Sequence, residues 1–156
     1  MAENRPDRSD LEVLLDSMLS LLAEGRTDDA KLASEEILLR SRSGSERDHM
    51  IEARVRIERA LIGLIPQDEI GQELRWCVDR LNAISRGSSI HGLALLNLAT
   101  WHANRGELMM SLATHSDISL KNGHPLDIKS LSRIEVGRIL SSIPNKPAPK
   151  VADNAR

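Results

Sequence analysis

The sequence predicts an all-α fold, and its composition is the first observation behind that prediction. Of the 156 residues 40% are hydrophobic, yet Phe and Tyr are absent and only two Trp are present. Sheets rely on such rings for cross-strand packing, whereas this core must be built mainly from 23 Leu and 13 Ile. One domain of this length buries about 70% of the surface of the unfolded chain, so folding requires neither a metal nor a disulfide.

The second observation is a helical spacing of apolar residues between capping and stop signals. Ser9 and Glu12 predict a capping box that opens a first helix, and Gly25 closes that helix. Its apolar stripe comprises Leu11, Leu14, Leu15, Met18, Leu19 and Leu22. Thr27 is expected to cap a second helix. The apolar stripe of this second helix comprises Ala30, Ala33, Ile37 and Leu38.

A third and a fourth helix follow the same rules. Ser45 is the expected cap of the third helix, which Pro66 should terminate because proline cannot continue a helix. The fourth helix is expected to begin near Asp68 and to stop at Gly87. The apolar positions of these two helices are Met50, Ala53, Ile57, Ala60, Leu61, Leu64, Ile70, Leu74, Cys77, Leu81 and Ile84.

Three further helices complete the predicted domain. Ser88 or Ser89 caps the fifth, the sixth stops at Gly123, and Pro125 is an early residue of the seventh. Their apolar positions are Leu95, Leu98, Ala99, Leu108, Met109, Leu112, Ala113, Ile128, Leu131, Val136, Ile139, Leu140 and Ile143. The expected organisation is a flexible N-terminus over residues 1–9, a single helical domain over 10–143 and a disordered, proline-rich tail over 144–156.

The third observation is a repeat. Short connections between the seven helices predict antiparallel neighbouring pairs. The first helices of three pairs align on positions 0, 3, 4 and 7, which are Leu15, Met18, Leu19 and Leu22, then Ile57, Ala60, Leu61 and Leu64, then Leu95, Leu98, Ala99 and His102. These quartets are 42 and 38 residues apart. A period near 40 residues predicts a stack of helical hairpins.

The segment from Leu95 to Leu108, LLNLATWHANRGEL, resembles a tetratricopeptide repeat. It has a large apolar residue, a Leu, a small residue and a ring-bearing residue in that order, followed by a turn glycine, Gly106. Ala30, after the turn at Gly25, resembles the small residue of the second helix in that family. The resemblance covers residues 10–143 and is closest to the longer, degenerate repeats of sensor domains in bacterial regulators.

The middle hairpin and the repeat length depart from the family pattern. Pro66-Gln67-Asp68 replaces the turn glycine of the second repeat, and Leu74 replaces a small residue. His102 stands where the family favours Tyr, and the period near 40 exceeds the usual 34 residues.

The resemblance implies a tetratricopeptide-like solenoid of three hairpins plus a C-terminal capping helix. The first helices of the hairpins would line a concave groove for a peptide or a helix of a partner protein. The partner-binding residues implied in this way are Asp16, Ser20, Arg59, Ile62, Leu93, Leu96, Asn97 and Thr100. Arg59 and Asn97 are the expected polar anchors, because guanidinium and amide groups bind a peptide backbone or a carboxylate.

The two Trp have two interpretations. Trp76 is a candidate partner-binding residue because tryptophan is common among the residues that dominate binding energy at protein interfaces. The alternative is that a tryptophan fills the seam between the second and third repeats, and this is the favoured interpretation of Trp101.

Charge and cysteine content exclude several classes of protein. There are 21 Lys and Arg against 23 Asp and Glu, so no general positive field attracts nucleic acid or an anionic membrane. On the predicted third helix, Arg47, Arg54, Arg56 and Arg59 alternate with acidic residues, which indicates a solvated face with i, i+4 ion pairs. The single Cys77 is typical of a reducing compartment. Since no signal peptide or apolar run of membrane-spanning length is present, a cytoplasmic protein is expected.

Neither catalysis nor a metal or cofactor is expected. No two His have i, i+4 spacing, and His102 is expected to be a packed, hydrogen-bonded interior residue. The consecutive His115, Ser116 and Asp117 point in different directions on a helix and cannot converge as a triad. Ser111 and His115 have i, i+4 spacing, but no third group to orient them is evident.

Three hypotheses of function follow. The first is a non-enzymatic adaptor, regulator or chaperone that binds a peptide or helix of another protein. The second is a helical bundle that acts as a homodimer through exposed Leu-rich faces. The third is a small regulator associated with nucleic acid, which the charge balance disfavours.

Overall fold

The computed structural model describes residues 6–42, 46–118 and 122–144, and the regular structure in these ranges is helical. The α-helices are α1 (Pro6–Ala23), α2 (Thr27–Ser41), α3 (Glu46–Leu61), α4 (Ile70–Ile84), α5 (Ser89–Asn104), α6 (Leu108–His115) and α7 (Leu126–Ser142). One turn of 3-10 helix, Gln67–Glu69, leads into α4. The described ranges contain no strand, so the predicted all-α class is confirmed.

The N-terminal helix boundaries differ from the predicted ones. α1 begins at Pro6, so Ser9 lies inside the helix and not at its cap. Arg26 precedes α2 without a side-chain capping bond, and Thr27 is the first helical residue. Ser45, the predicted cap of α3, lies outside the described residues, as do residues 1–5 and the predicted tail beyond Pro144.

Of the later helix boundaries, some differ from the predicted ones and one agrees. α3 ends at Leu61 rather than at Pro66, because the chain turns at Gly63 with a φ of +75°. That left-handed conformation favours glycine. α6 ends at His115, well before the predicted stop at Gly123. Ser88, one of the two predicted caps, is the cap of α5, since its Oγ accepts a hydrogen bond from the backbone N–H of His91 at 3.2 Å.

The helices pack in the order of the chain. Each helix contacts the next, and the odd-numbered helices also contact one another in succession: α1 with α3, α3 with α5, and α5 with α7. Within the described ranges, no helix contacts another more than two helices away. The tertiary contacts are therefore local along the chain.

The core follows this order in three clusters. The first is formed by α1, α2 and α3, and its fully or largely buried members are Leu11, Met18, Ala30, Ile37, Ile51 and Val55. The second joins α3, α4 and α5 through Ala53, Ile57, Ala60, Leu74, Cys77, Leu81, Ala94 and Leu98. The third lies where α5 meets α7 and the end of α6, and contains Leu95, Leu96, Ile118 and Ile128. None of the described helices combines the length and the apolarity needed to cross a membrane.

Candidate protein-binding cleft

A cleft of about 560 Å³ lies between the second and third helical hairpins. It is bounded by the end of α3, the 3-10 turn, the start of α4 and the second half of α5. Its apolar lining comprises Ala60, Leu61, Ile70, Leu74 and Trp101, and its polar lining comprises Gln67, Asp68, Asn97, Thr100, Asn104 and Arg105. Apolar walls with a few polar groups are typical of sites that bind organic ligands or side chains.

Trp101 forms one wall of the cleft, and it reaches that position through Gly71. A Cβ atom at position 71 would lie 2.4 Å from Cη2 of the indole, so only a residue without a side chain lets the ring lie against α4. The guanidinium of Arg105 stacks on the ring, 4.7 Å from its centroid. Trp101 therefore fills the seam between α4 and α5, as the sequence indicated.

Two residues predicted to bind a partner, Asn97 and Thr100, lie together in this cleft. Each bonds back to a carbonyl one helical turn earlier: Asn97 Nδ2 donates to Leu93 O at 2.8 Å, and Thr100 Oγ1 donates to Leu96 O at 3.0 Å. The bond from Nδ2 orients the amide of Asn97. Its Oδ1 is thereby left to accept a hydrogen bond from a ligand.

Three other polar groups of the cleft are free of internal bonds. In the part of the chain that the structure describes, the side chains of Gln67, Asp68 and Asn104 have no hydrogen-bond partner. All three are exposed. Two amides and a carboxylate can pair with both the N–H and the C=O groups of a peptide.

The other predicted anchor, Arg59, is engaged inside the protein. Its Nη1 donates to Ser34 Oγ at 2.6 Å, which ties α3 to α2. Arg59 does not line the cleft. Leu96 is buried in the cluster that joins α5 to α7, and Leu93 packs against the central cluster. Because α5 contacts four other helices, it has less free surface than its sequence pattern indicates.

The remaining predicted residues lie away from the cleft. Asp16 and Ser20 are exposed on α1, and Ile62 is half-buried just after α3. Trp76 is half-buried on α4, where the guanidinium of Arg56 stacks 4.1 Å from its ring centroid and that of Arg80 lies 5.4 Å away. Its ring is thus covered in part by cations of the same chain.

A polar network between α3 and α4 was missed by sequence reasoning. Arg56 pairs with Glu52 on its own helix at 2.9 Å and with Glu73 on α4 at 2.8 Å. Burial by itself would lower the pKa of Arg56, but Glu73 and Glu52 together raise it. Since Glu52 is buried, this face of α3 is not the solvated face that was expected. The spacing of Glu52 and Arg56 was visible in the sequence, but only helix packing brings Glu73 to them.

Four of the five histidines are buried. His102 is a packed interior residue, as predicted, with Nδ1 2.8 Å from Glu107 Oε1. This bond is the main reason why the pKa of Glu107 is lowered. His91 and His124 form a pair that the sequence did not reveal: Nε2 of His124 lies 3.0 Å from Nδ1 of His91. Burial, with His124 and Arg86 nearby, lowers the pKa of His91 to about 4.

The Ser111 and His115 side chains do not bond to each other. Ser111 Oγ donates to Ala99 O at 2.8 Å, and His115 Nδ1 lies 2.8 Å from Ser132 Oγ on α7. Both residues therefore tie neighbouring helices together. Among the described residues, no group of three or more His, Cys, Asp or Glu is arranged to hold a metal ion.

Comparisons with protein-family models, curated proteins and solved structures gave no match to this chain.

Proposed function

We propose that the chain is a non-enzymatic protein-binding module of stacked, tetratricopeptide-like hairpins that binds a peptide or helix of another protein. The pattern of contacts between the helices supports the stacked arrangement. In helical solenoids each unit contacts only its neighbours. Here the first helices of successive pairs contact one another, and no contact between the described helices is more distant.

The observation that carries the binding function is the lining of the cleft. Leu74, Ile70 and Trp101 supply an apolar floor and wall, while the amides of Asn97 and Asn104 lie among them. An apolar side chain of a ligand would be buried on the floor, and the amides would pair with the ligand backbone. This combination gives affinity through buried area and orientation through hydrogen bonds.

One acidic and one basic side chain line the cleft, so it favours a ligand that carries a positive group at one end and a negative group at the other. Asp68 comes from the 3-10 turn and Arg105 from the end of α5, and both line the cleft. Arg105 is already balanced in part by Glu107, whose Oε1 lies 3.4 Å from its Nε. We therefore expect extended peptides with a central apolar residue and without a strong excess of either charge to bind.

A displayed library of random peptides, selected on the immobilised protein, tests this function. Thr100→Trp should block the cleft, because Thr100 is exposed at its wall. Ser17→Trp adds the same side chain to an exposed site on α1 and serves as the matched control. We expect enriched peptides to lose at least tenfold in affinity for Thr100→Trp and to bind the Ser17→Trp protein like the parent.

Two results would contradict the proposal. One is that no peptide is enriched over an unrelated helical protein. The other is that enriched peptides bind the Thr100→Trp protein as tightly as the parent, which would place their site elsewhere.

A further inference from the structure

The outer face of α7 carries a stripe of four exposed residues. Asp127, Leu131, Ile134 and Arg138 are separated by four, three and four positions, so they follow one another along one face of the helix. Leu131 and Ile134 are more than half exposed, at 51% and 56%. This stripe differs from the face that packs on α5 and α6, which contains Ile128, Ser132 and Ile139.

The stripe is complementary to itself when the helix direction is reversed. In an antiparallel pair of α7 helices whose two-fold axis passes between Leu131 and Ile134, each Leu131 meets Ile134 of the second copy. The same alignment places Asp127 opposite Arg138 of the second copy at both ends. A two-fold interface requires such self-complementarity. A parallel pair would instead place like charges together.

Both charged residues have groups available for this pairing. Asp127 uses Oδ1 to accept a hydrogen bond from the backbone N–H of Ile128 at 2.9 Å. Arg138 uses Nη1 to pair with Glu135 on its own helix. Within the described ranges, the second carboxylate oxygen of Asp127 and the other guanidinium nitrogens of Arg138 have no partner.

The position of α7 in the fold leaves room for a further helix. α7 contacts only α5 and α6 among the described helices, whereas α3 and α5 each have helices on both sides. We propose that the second copy of this chain supplies the missing neighbour, so that the protein self-associates through antiparallel α7 helices. The dimer is weak, because two apolar pairs and two surface ion pairs bury less than a standard interface. It does not depend on the cleft, which α7 does not line.

Charge reversal within the stripe tests the dimer. The dimer dissociation constant is measured by sedimentation or light scattering at protein concentrations from low to high micromolar. Asp127→Arg and Arg138→Asp should each raise the dimer dissociation constant at least tenfold, because each places like charges opposite one another at both ends. An equal mixture of these two variants should associate again as a heterodimer, since opposite charges then face each other at both ends, at one end in the parent order and at the other with the signs exchanged.

Matched controls separate the interface from general effects. Asp28→Arg reverses an exposed acid in the first turn of α2, as Asp127→Arg does in α7, and should leave the dimer unchanged. Leu131→Glu should abolish the dimer, while Leu32→Glu, at an exposed leucine of α2, should not. Unchanged circular dichroism confirms that each variant is folded.

Three outcomes would overturn the proposal. The first is a parent protein that stays monomeric at every concentration. The second is a dimer that survives Leu131→Glu. The third is a mixture of the two charge variants that remains as dissociated as either variant alone.

Discussion

Gly71 and Gly137 both lie inside helices with ordinary helical backbone, but their surroundings differ. A Cβ atom at position 71 would overlap the ring of Trp101, whereas one at position 137 would meet nothing within 4 Å. Gly71 is therefore required by packing, and Gly137 only adds conformational freedom to the unfolded chain. Sequence reasoning could place both glycines on helices, but the partner of Gly71 is 30 residues away in the sequence.

The same substitution should therefore have opposite effects at the two positions. Gly71→Ala is expected to lower the free energy of unfolding by roughly 1–3 kcal/mol, because the ring must move out of a packed seam. Gly137→Ala should raise it by about 0.5–1 kcal/mol, the usual gain from replacing an exposed helical glycine. Urea unfolding followed by circular dichroism measures both. A stabilising Gly71→Ala would show that Trp101 does not occupy this seam.

At the scale of elements, buried histidines add to the apolar contacts that join α7 to the rest of the chain. The His91 and His124 rings meet where the turn before α5 packs on the connection to α7, and Gly87 donates its N–H to His91 Nδ1 at 3.1 Å. His115 on α6 bonds to Ser132 on α7. Burial lowers the pKa values of all three histidines, so the neutral forms are the ones that fit.

The stability of the fold should consequently decrease as the pH falls below about 6.5. The pKa of His91 is 6.5 in the unfolded chain and about 4 in the folded chain. At pH values between these two, the unfolded chain therefore binds more protons than the folded chain. The free energy of unfolding then rises with pH, and the contribution is complete above 6.5 and lost towards 4. We expect a loss of roughly 2–3 kcal/mol between pH 7.5 and 4.5 from this group.

Urea midpoints over this pH range and NMR titration of the His91 ring test this dependence. The ring should titrate near pH 4, and His91→Gln should reduce the change of the midpoint with pH. A ring that titrates near 6.5, or a midpoint that changes equally in the variant, would contradict the expectation.

The sequence predicted the helices better than it predicted what joins them. Apolar spacing is a local property, so all seven helices were found, and the caps and turn glycines Ser88, Gly25 and Gly87 were located correctly. The end of α6 was not, because apolar residues such as Ile118 continue the pattern beyond it. The resemblance implied one binding surface that included Asn97, Thr100 and Arg59. Asn97 and Thr100 line the same cleft, whereas Arg59 does not, because it bonds to Ser34 on another helix.

At the scale of the whole molecule, the pattern of contacts between helices determines how strongly the two ends of the chain are coupled. α1 and α7 share no neighbour among the described helices, because α1 contacts only α2 and α3, and α7 contacts only α5 and α6. The two ends are coupled through α3, α4 and α5. In such arrangements stability is close to a sum of local and nearest-neighbour contributions, and the ends can open separately.

A cavity at one end of the molecule should therefore leave the amides of the other end protected against hydrogen exchange. Ile128→Ala removes a buried side chain of α7, at a local cost of roughly 2–5 kcal/mol. Hydrogen exchange should become faster in α6 and α7, and to a smaller extent in α5, while amides of α1 and α2 keep their protection. Met18→Ala, at a buried site of α1, should give the opposite distribution. If either substitution accelerates exchange equally in every helix, the molecule unfolds as one cooperative unit, and the stacked arrangement does not govern its stability.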